Sequence, residues 1–91
     1  MDDLEGLERE LRQRDVAAFV VEPIQGKGVY IPADGFLPDA QRLCHKYGTL
    51  FICDEVQVGL GRTGRFLCCE HWGLAPDIVT LSKSLGGGYV P

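Results

Sequence analysis

The amino-acid sequence predicts an α/β fold built on a parallel sheet. Three apolar runs with β-branched residues, at 16–22, 49–55 and 77–82, alternate with helical patterns at 2–14 and 36–47. Strands that alternate with helices pair in parallel through right-handed crossovers. The chain is therefore expected to form part of a parallel sheet covered by helices.

The first helix, at 2–14, is predicted from leucines that recur at helical spacing among charged residues: Leu4, Leu7 and Leu11. A pattern of this kind is typical of an amphipathic surface helix that covers a sheet.

The second helix, at 36–47, has its apolar residues on one stripe, namely Leu37, Ala40, Leu43, Cys44 and Tyr47. Pro38 is tolerated in the first turn, and Gly48 stands where a glycine caps a helix C-terminus.

The strands are continuous apolar runs, as expected of strands buried on both faces. The first run ends in Glu22 and is followed by Pro23, the second ends in two acids, and the third is followed directly by a lysine. Ligands of open parallel sheets bind outside the carboxyl ends of the strands. This rule selects Glu22, the segment 54–57 and Lys83.

Composition excludes several classes of function. The chain is 45% apolar and 24% charged, with a net charge of −4, which is typical of a soluble globular protein. It has neither an apolar stretch long enough for a membrane span nor a basic stripe for nucleic acid. Its charged first 15 residues do not resemble a secretory signal, so a cytoplasmic location is expected. The spacing of the four cysteines favours free thiols over a metal site.

One short motif suggests an alternative function. The segment "VGLGRTG" contains G-x-G-x-x-G at 59–64, which raises the hypothesis of a nucleotide-binding module. A dinucleotide site needs the first glycine directly after the strand, a helix that begins inside the motif, and an acid at the end of the next strand. Here four residues separate Asp54 from Gly59, and the next strand ends in Lys83. The pattern therefore favours a structural turn.

An acid and a lysine at the ends of nearby strands suit pyridoxal phosphate (PLP) better. The cofactor needs a lysine for a Schiff base and an acid against its pyridine nitrogen. Asp54 would keep that nitrogen protonated, because an adjacent negative charge favours the cation. Lys83 would form the Schiff base and act as proton shuttle. Taken alone, Asp54 would more commonly cap the turn that follows it.

Two longer segments carry a family resemblance: "VVEPIQGKG" and "FICDEVQVGLGRTGRFLCCEHWGLAPDIVTLSKSLGGG". Together they resemble the class III PLP-dependent aminotransferases, which include ornithine, acetylornithine, putrescine and 4-aminobutyrate aminotransferases. The resemblance implies the large domain of a fold type I enzyme. It also implies a homodimer that transfers an amino group between an amine or ω-amino acid and a 2-oxo acid. An aminomutase of the same family remains open.

The resemblance also implies roles for single residues. Asp54 pairs with the ring nitrogen, Val56 packs on the ring face, Gln57 bonds the phenolic oxygen, and Lys83 is the Schiff-base lysine. Glu22 resembles the acid that pairs with a substrate-gating arginine. Glu55 is expected to be structural, holding the turn or a backbone amide.

Other parts of the family's site are absent from these 91 residues. The phosphate-binding residues, the partner subunit's threonine and the substrate-binding arginine all belong elsewhere in the family's sequence. The chain is therefore expected to be a fragment of the PLP-binding large domain, inactive in isolation. A non-catalytic truncated product remains an alternative.

Overall fold

The computed structural model describes residues 3–82 and residue 85 and contains a three-stranded parallel sheet. Its strands, in spatial and chain order, are β1 (Ala18–Val21), β2 (Leu50–Asp54) and β3 (Ile78–Thr80). The helices are α1 (Leu4–Leu11) and α2 (Phe36–Lys46), and a 3-10 helix (Cys68–Trp72) lies between β2 and β3. The α/β class and the parallel arrangement expected from the sequence are confirmed.

The helices and strands are shorter than the apolar patterns that predicted them. The helix expected over 2–14 ends at Leu11, and Arg14 adopts a left-handed backbone with φ of 59°. Charged residues continue past that point, so the sequence gives no stop signal there. Asp77 precedes β3 and uses its carboxylate to accept the Phe51 amide at 2.8 Å, so it anchors the strand without joining it.

The C-terminus of α2 is closed by a glycine, as its sequence suggests. Gly48 has φ of +72°, a conformation that costs glycine no Cβ clash. The Thr49 amide turns back to the Cys44 carbonyl at 2.8 Å, which satisfies one of the last carbonyls of the helix. The chain then enters β2 directly.

The core lies on one face of the sheet, where α1 and α2 pack. Its fully buried members are Leu11, Ala40, Cys44, Phe51, Cys53 and Cys69. The opposite face leaves Val20 59% exposed, and Leu50 and Ile78 each 45% exposed. The sequence predicted strands buried on both faces, but the described residues cover one face only. No helix among the described residues is long and apolar enough to cross a membrane.

All four cysteines are buried, and none forms a disulfide. Burial raises the pKa of the Cys44 and Cys69 thiols to about 11, and it also raises the pKa of Cys53 and of Cys68. The thiolate is the reactive form of cysteine, and at pH 8 a thiol with a pKa of 11 is ionised to only about one part in a thousand.

We therefore expect the four cysteines to resist a thiol reagent at pH 8 while the protein is folded, and to react rapidly in urea. Since the folded pKa of Cys44 and Cys69 exceeds the reference value of 9.0, their protonated thiols stabilise the fold fully below pH 9. That stability is lost as the pH rises toward 11. Mass spectrometry of labelled peptides measures the labelling rate of each cysteine. Equal labelling rates with and without urea would contradict the expected protection of the thiols.

Candidate active site

The candidate site lies at the carboxyl edge of the sheet. Val21 pairs with Cys53 across β1 and β2, and Asp54 pairs with Thr80 across β2 and β3. Glu22 follows β1 directly, so the strand ends bring Glu22, Asp54 and Thr80 to the same edge. This is the edge at which open parallel sheets bind ligands.

Strand geometry separates the two consecutive acids. Successive side chains of a strand point to opposite faces. Phe51 and Cys53 are buried on the helix side, and Glu55 continues that series with only 1% of its surface exposed. Asp54 belongs to the other series, with Leu50 and Ile52, and is half-buried. The two carboxylates therefore have different surroundings and different uses.

Asp54 is held through one of its two oxygens. Its Oδ1 accepts the backbone amide of Val56 at 3.1 Å and the hydroxyl of Thr80 at 3.0 Å. The first bond is the turn cap that the sequence suggested. Among residues 3–82 and 85, both hydrogen bonds to this carboxylate fall on Oδ1. The arrangement suits Oδ2 for a cationic N–H donor.

Glu55 is a structural clamp. Its two oxygens accept the amides of Cys68 and Cys69 at 2.6 and 2.7 Å, at the first turn of the 3-10 helix. A buried carboxylate needs such partners, since leaving it unpaired carries a large desolvation penalty. Glu55 thus fixes the crossover between β2 and β3 to the end of β2. This is the backbone-holding role expected from the sequence.

The three glycines of the glycine-rich turn use their amides in backbone hydrogen bonds. The amides of Gly59, Gly61 and Gly64 donate to carbonyls within the chain, at 2.8, 3.2 and 3.1 Å. A Cβ at Gly59 would lie 2.8 Å from the Glu55 carbonyl oxygen. A phosphate cradle needs amides that point at the ligand, at the start of a helix. The segment 56–63 forms turns instead, so the structure does not support a nucleotide-binding module.

Glu22 and Gln57 meet at Gly26. The Gly26 amide donates to Glu22 Oε2 at 3.1 Å. A Cβ on Gly26 would lie 2.7 Å from Cγ of Gln57, so the bare glycine backbone packs against that side chain. The loop after β1 and the turn after β2 are therefore in direct contact beside the strand ends.

Of the two remaining residues predicted from the sequence, the structure describes Val56 but not Lys83. Val56 is half-buried and directly follows the two acids. Lys83 lies outside the described residues, as does the position after it. The last described residue before it is Ser82, two positions after Thr80.

A cavity of about 420 Å³ lies beside Glu22, between α1, β1 and the loop that leads to α2. Asp54, Val56 and Gln57 do not line it. No group of His, Cys, Asp or Glu side chains suited to a metal ion occurs in the part of the chain that the structure describes.

Comparison with known protein families shows to which family the chain belongs. The family model described as aminotransferase class-III matches residues 1–91. The chain belongs to the class III aminotransferase family. The resemblance seen in the sequence is thereby confirmed.

Two similar proteins have more than half of their matched residues identical to those of this chain. An ornithine aminotransferase of Plasmodium falciparum is 54% identical over 91 residues, covering 99% of this chain and 22% of the relative. A putrescine aminotransferase of Pectobacterium atrosepticum is 54% identical over 78 residues, covering 85% of this chain and 17% of that protein. The chain thus spans about a fifth of the length of these curated relatives.

A solved structure adds the fold and a bound group. The ornithine aminotransferase of Toxoplasma gondii, described with partial occupancy of PLP at its active site, matches with a TM-score of 0.94 and 50% identity. The match covers 100% of this chain and 22% of that one. The α/β arrangement described above is therefore that of a class III aminotransferase.

Two residues of the site were missed by sequence reasoning. Thr80 lies inside an apolar run and becomes visible only when the register pairs it with Asp54. Gly26 stands in a loop rich in glycine, and its contact with Gln57 joins segments that are distant in sequence. Aligning the predicted strands at the sheet edge could have indicated Thr80. The sequence contains no signal that would have indicated the contact of Gly26.

Glu55→Gln is expected to lower the free energy of unfolding by about 1–3 kcal/mol, because the amide keeps one acceptor and turns an N–H₂ group toward a buried backbone amide. Glu70→Gln is the matched control. Glu70 accepts the Leu67 amide at 2.6 Å on the exposed side, and its amide oxygen can still accept that bond. Urea unfolding measures both variants. Equal losses would mean that the buried clamp has no special importance.

Proposed function

We propose that this chain forms part of the PLP-binding large domain of an aminotransferase. The enzyme would transfer an amino group between an amine or ω-amino acid and a 2-oxo acid. One observation carries the proposal: in a chain of this family, a strand-end carboxylate is held by two donors on Oδ1. A carboxylate held in this way is suited to pair with a protonated pyridine nitrogen.

The residues at the strand ends fit PLP. When bound, the cofactor supplies an aldehyde that forms a Schiff base with a primary amine and a ring that draws electrons from the substrate's α-carbon. We assign Asp54 to the ring nitrogen, because a fixed negative charge favours its protonated state. Its fixed Oδ1 supports that role, since the cofactor need not reorient the carboxylate on binding.

We assign Val56 to the ring face and Gln57 to the phenolic oxygen. Val56 is apolar and half-buried, and Gln57 is exposed to solvent beside the strand ends. An apolar side chain excludes water from one side of a ring, and an amide N–H₂ donates to an oxygen anion. Glu22 remains our candidate for the acid that pairs with a substrate-gating arginine. Its bond to Gly26 supports a fixed position next to Gln57.

We assign the Schiff base and the proton transfer to Lys83. Its amine would take the proton from the substrate α-carbon and pass it to the aldehyde carbon of the cofactor, and it would move a proton in the opposite direction in the second half of the reaction. Only two residues separate it from Thr80, which pairs with Asp54, so covalent geometry limits its distance from that pair.

Further parts of the proposal concern the whole protein. We propose that the chain acts within a longer polypeptide, because its relatives are about five times as long, and that the 91 residues alone are inactive. We also propose a homodimer, as the family resemblance implies. The free, buried thiols suit a reducing compartment, and we propose the cytoplasm.

Borohydride reduction of the full-length protein with PLP is expected to fix the cofactor on a peptide that contains Lys83. Lys83→Ala should abolish this labelling and the amino transfer, because no amine remains to bind the aldehyde. Peptide mapping by mass spectrometry provides the measurement. Labelling of a different lysine in the wild-type protein would overturn the assignment.

Gly26→Ala is expected to weaken PLP binding by about tenfold, since the new methyl group displaces the side chain that we assign to the phenolic oxygen and loses about one hydrogen bond to a charged group. Gly35→Ala is the control. Gly35 has an ordinary backbone conformation, and the nearest atom to a Cβ there is Asp39 Oδ2 at 3.8 Å. Fluorescence titration measures the affinity of both variants for PLP. Equal affinities would remove Gln57 from the proposed site.

A further inference from the structure

Thr80 lies directly opposite Asp54 in the β2–β3 ladder, and its hydroxyl donates to Asp54 Oδ1 at 3.0 Å. We propose that Thr80 is the positioning residue that orients the Asp54 carboxylate toward the cofactor ring. The inference rests on the proposed PLP site and adds to it a residue on the neighbouring strand.

The geometry of the two donors supports this role. One hydrogen bond would leave a carboxylate free to rotate about that contact. Val56 donates from the turn after β2, while Thr80 donates from β3, so the same oxygen is held from two directions. Together the two bonds fix both side-chain torsions of Asp54 and set the direction of Oδ2.

The backbone keeps Thr80 in place for this task. Its carbonyl accepts the Glu55 amide at 2.9 Å, which continues the ladder one residue past Asp54. Thr80 therefore contacts both acids, one through its main chain and one through its hydroxyl. Since Glu55 is itself clamped to the 3-10 helix, the hydroxyl is held on a rigid support.

The hydroxyl of Thr80 contributes little to the stability of the fold. Thr80 is exposed in the described chain, and Asp54 is half-buried. If the bond were broken, water could satisfy both groups, so its net contribution to folding is small. Its distinct effect is on the direction of the carboxylate, and a ligand that binds Oδ2 is the readout for that direction.

The test compares Thr80→Val with Thr80→Ser in the full-length protein. Valine keeps the shape and removes the hydroxyl, while serine keeps the hydroxyl. We expect Thr80→Val to raise the dissociation constant of PLP about tenfold, and Thr80→Ser to stay within about twofold of wild type. The visible absorption band of the bound coenzyme should shift in the valine variant and return in the serine variant. Thermal unfolding of both apo proteins should match wild type.

Two results would overturn the inference: a valine variant with the affinity and absorption band of the wild type, or a serine variant as defective as valine. Failure of the proposed function gives a different result. In that case the wild-type protein itself would bind no PLP, and borohydride would label no lysine in it.

Discussion

The alternation of side chains at the end of β2 is the constraint on which the rest of the site depends. It sends Glu55 into the core and Asp54 to the opposite face, although the two acids are adjacent in sequence. A buried carboxylate must find donors, and Glu55 finds them in the amides of Cys68 and Cys69. The clamp ties the crossover to the strand and leaves the other acid available for chemistry. A shift of one residue in register would exchange the two roles.

The glycine-rich turn follows from the same clamp. To reach the 3-10 helix, the chain must fold back closely over Glu55, and Gly59 allows this because any Cβ would strike the Glu55 carbonyl. The turn then closes through its own amides. A motif that resembles a nucleotide fingerprint is thus explained by packing. The hydrogen bonds that these amides make within the chain, rather than the spacing of the glycines, distinguish a structural turn from a nucleotide site.

The sequence predicts the elements well and the contacts between them poorly. Periodicity finds both helices, and continuous apolar runs find all three strands. It cannot find their ends, which depend on local events such as the left-handed Arg14. Asp54 is predictable from its place at a strand end, whereas Thr80 and Gly26 acquire their roles only from strand register and a tertiary contact. The cofactor roles assigned to Asp54 and Lys83 stay predictions, and Lys83 also lies outside the described residues.

The environment of Asp54 explains why we expect the site to need more chain than these 91 residues. Its face of the sheet carries exposed apolar side chains, including Val20 and Ile78, and nothing in the described part of the chain covers them. An ion pair between a carboxylate and a ring nitrogen weakens in proportion to the effective dielectric constant. On an open face, water would screen that pair. The described chain can orient the carboxylate through its two donors, but the exclusion of water that gives this orientation its energetic value must come from residues packed on the same face.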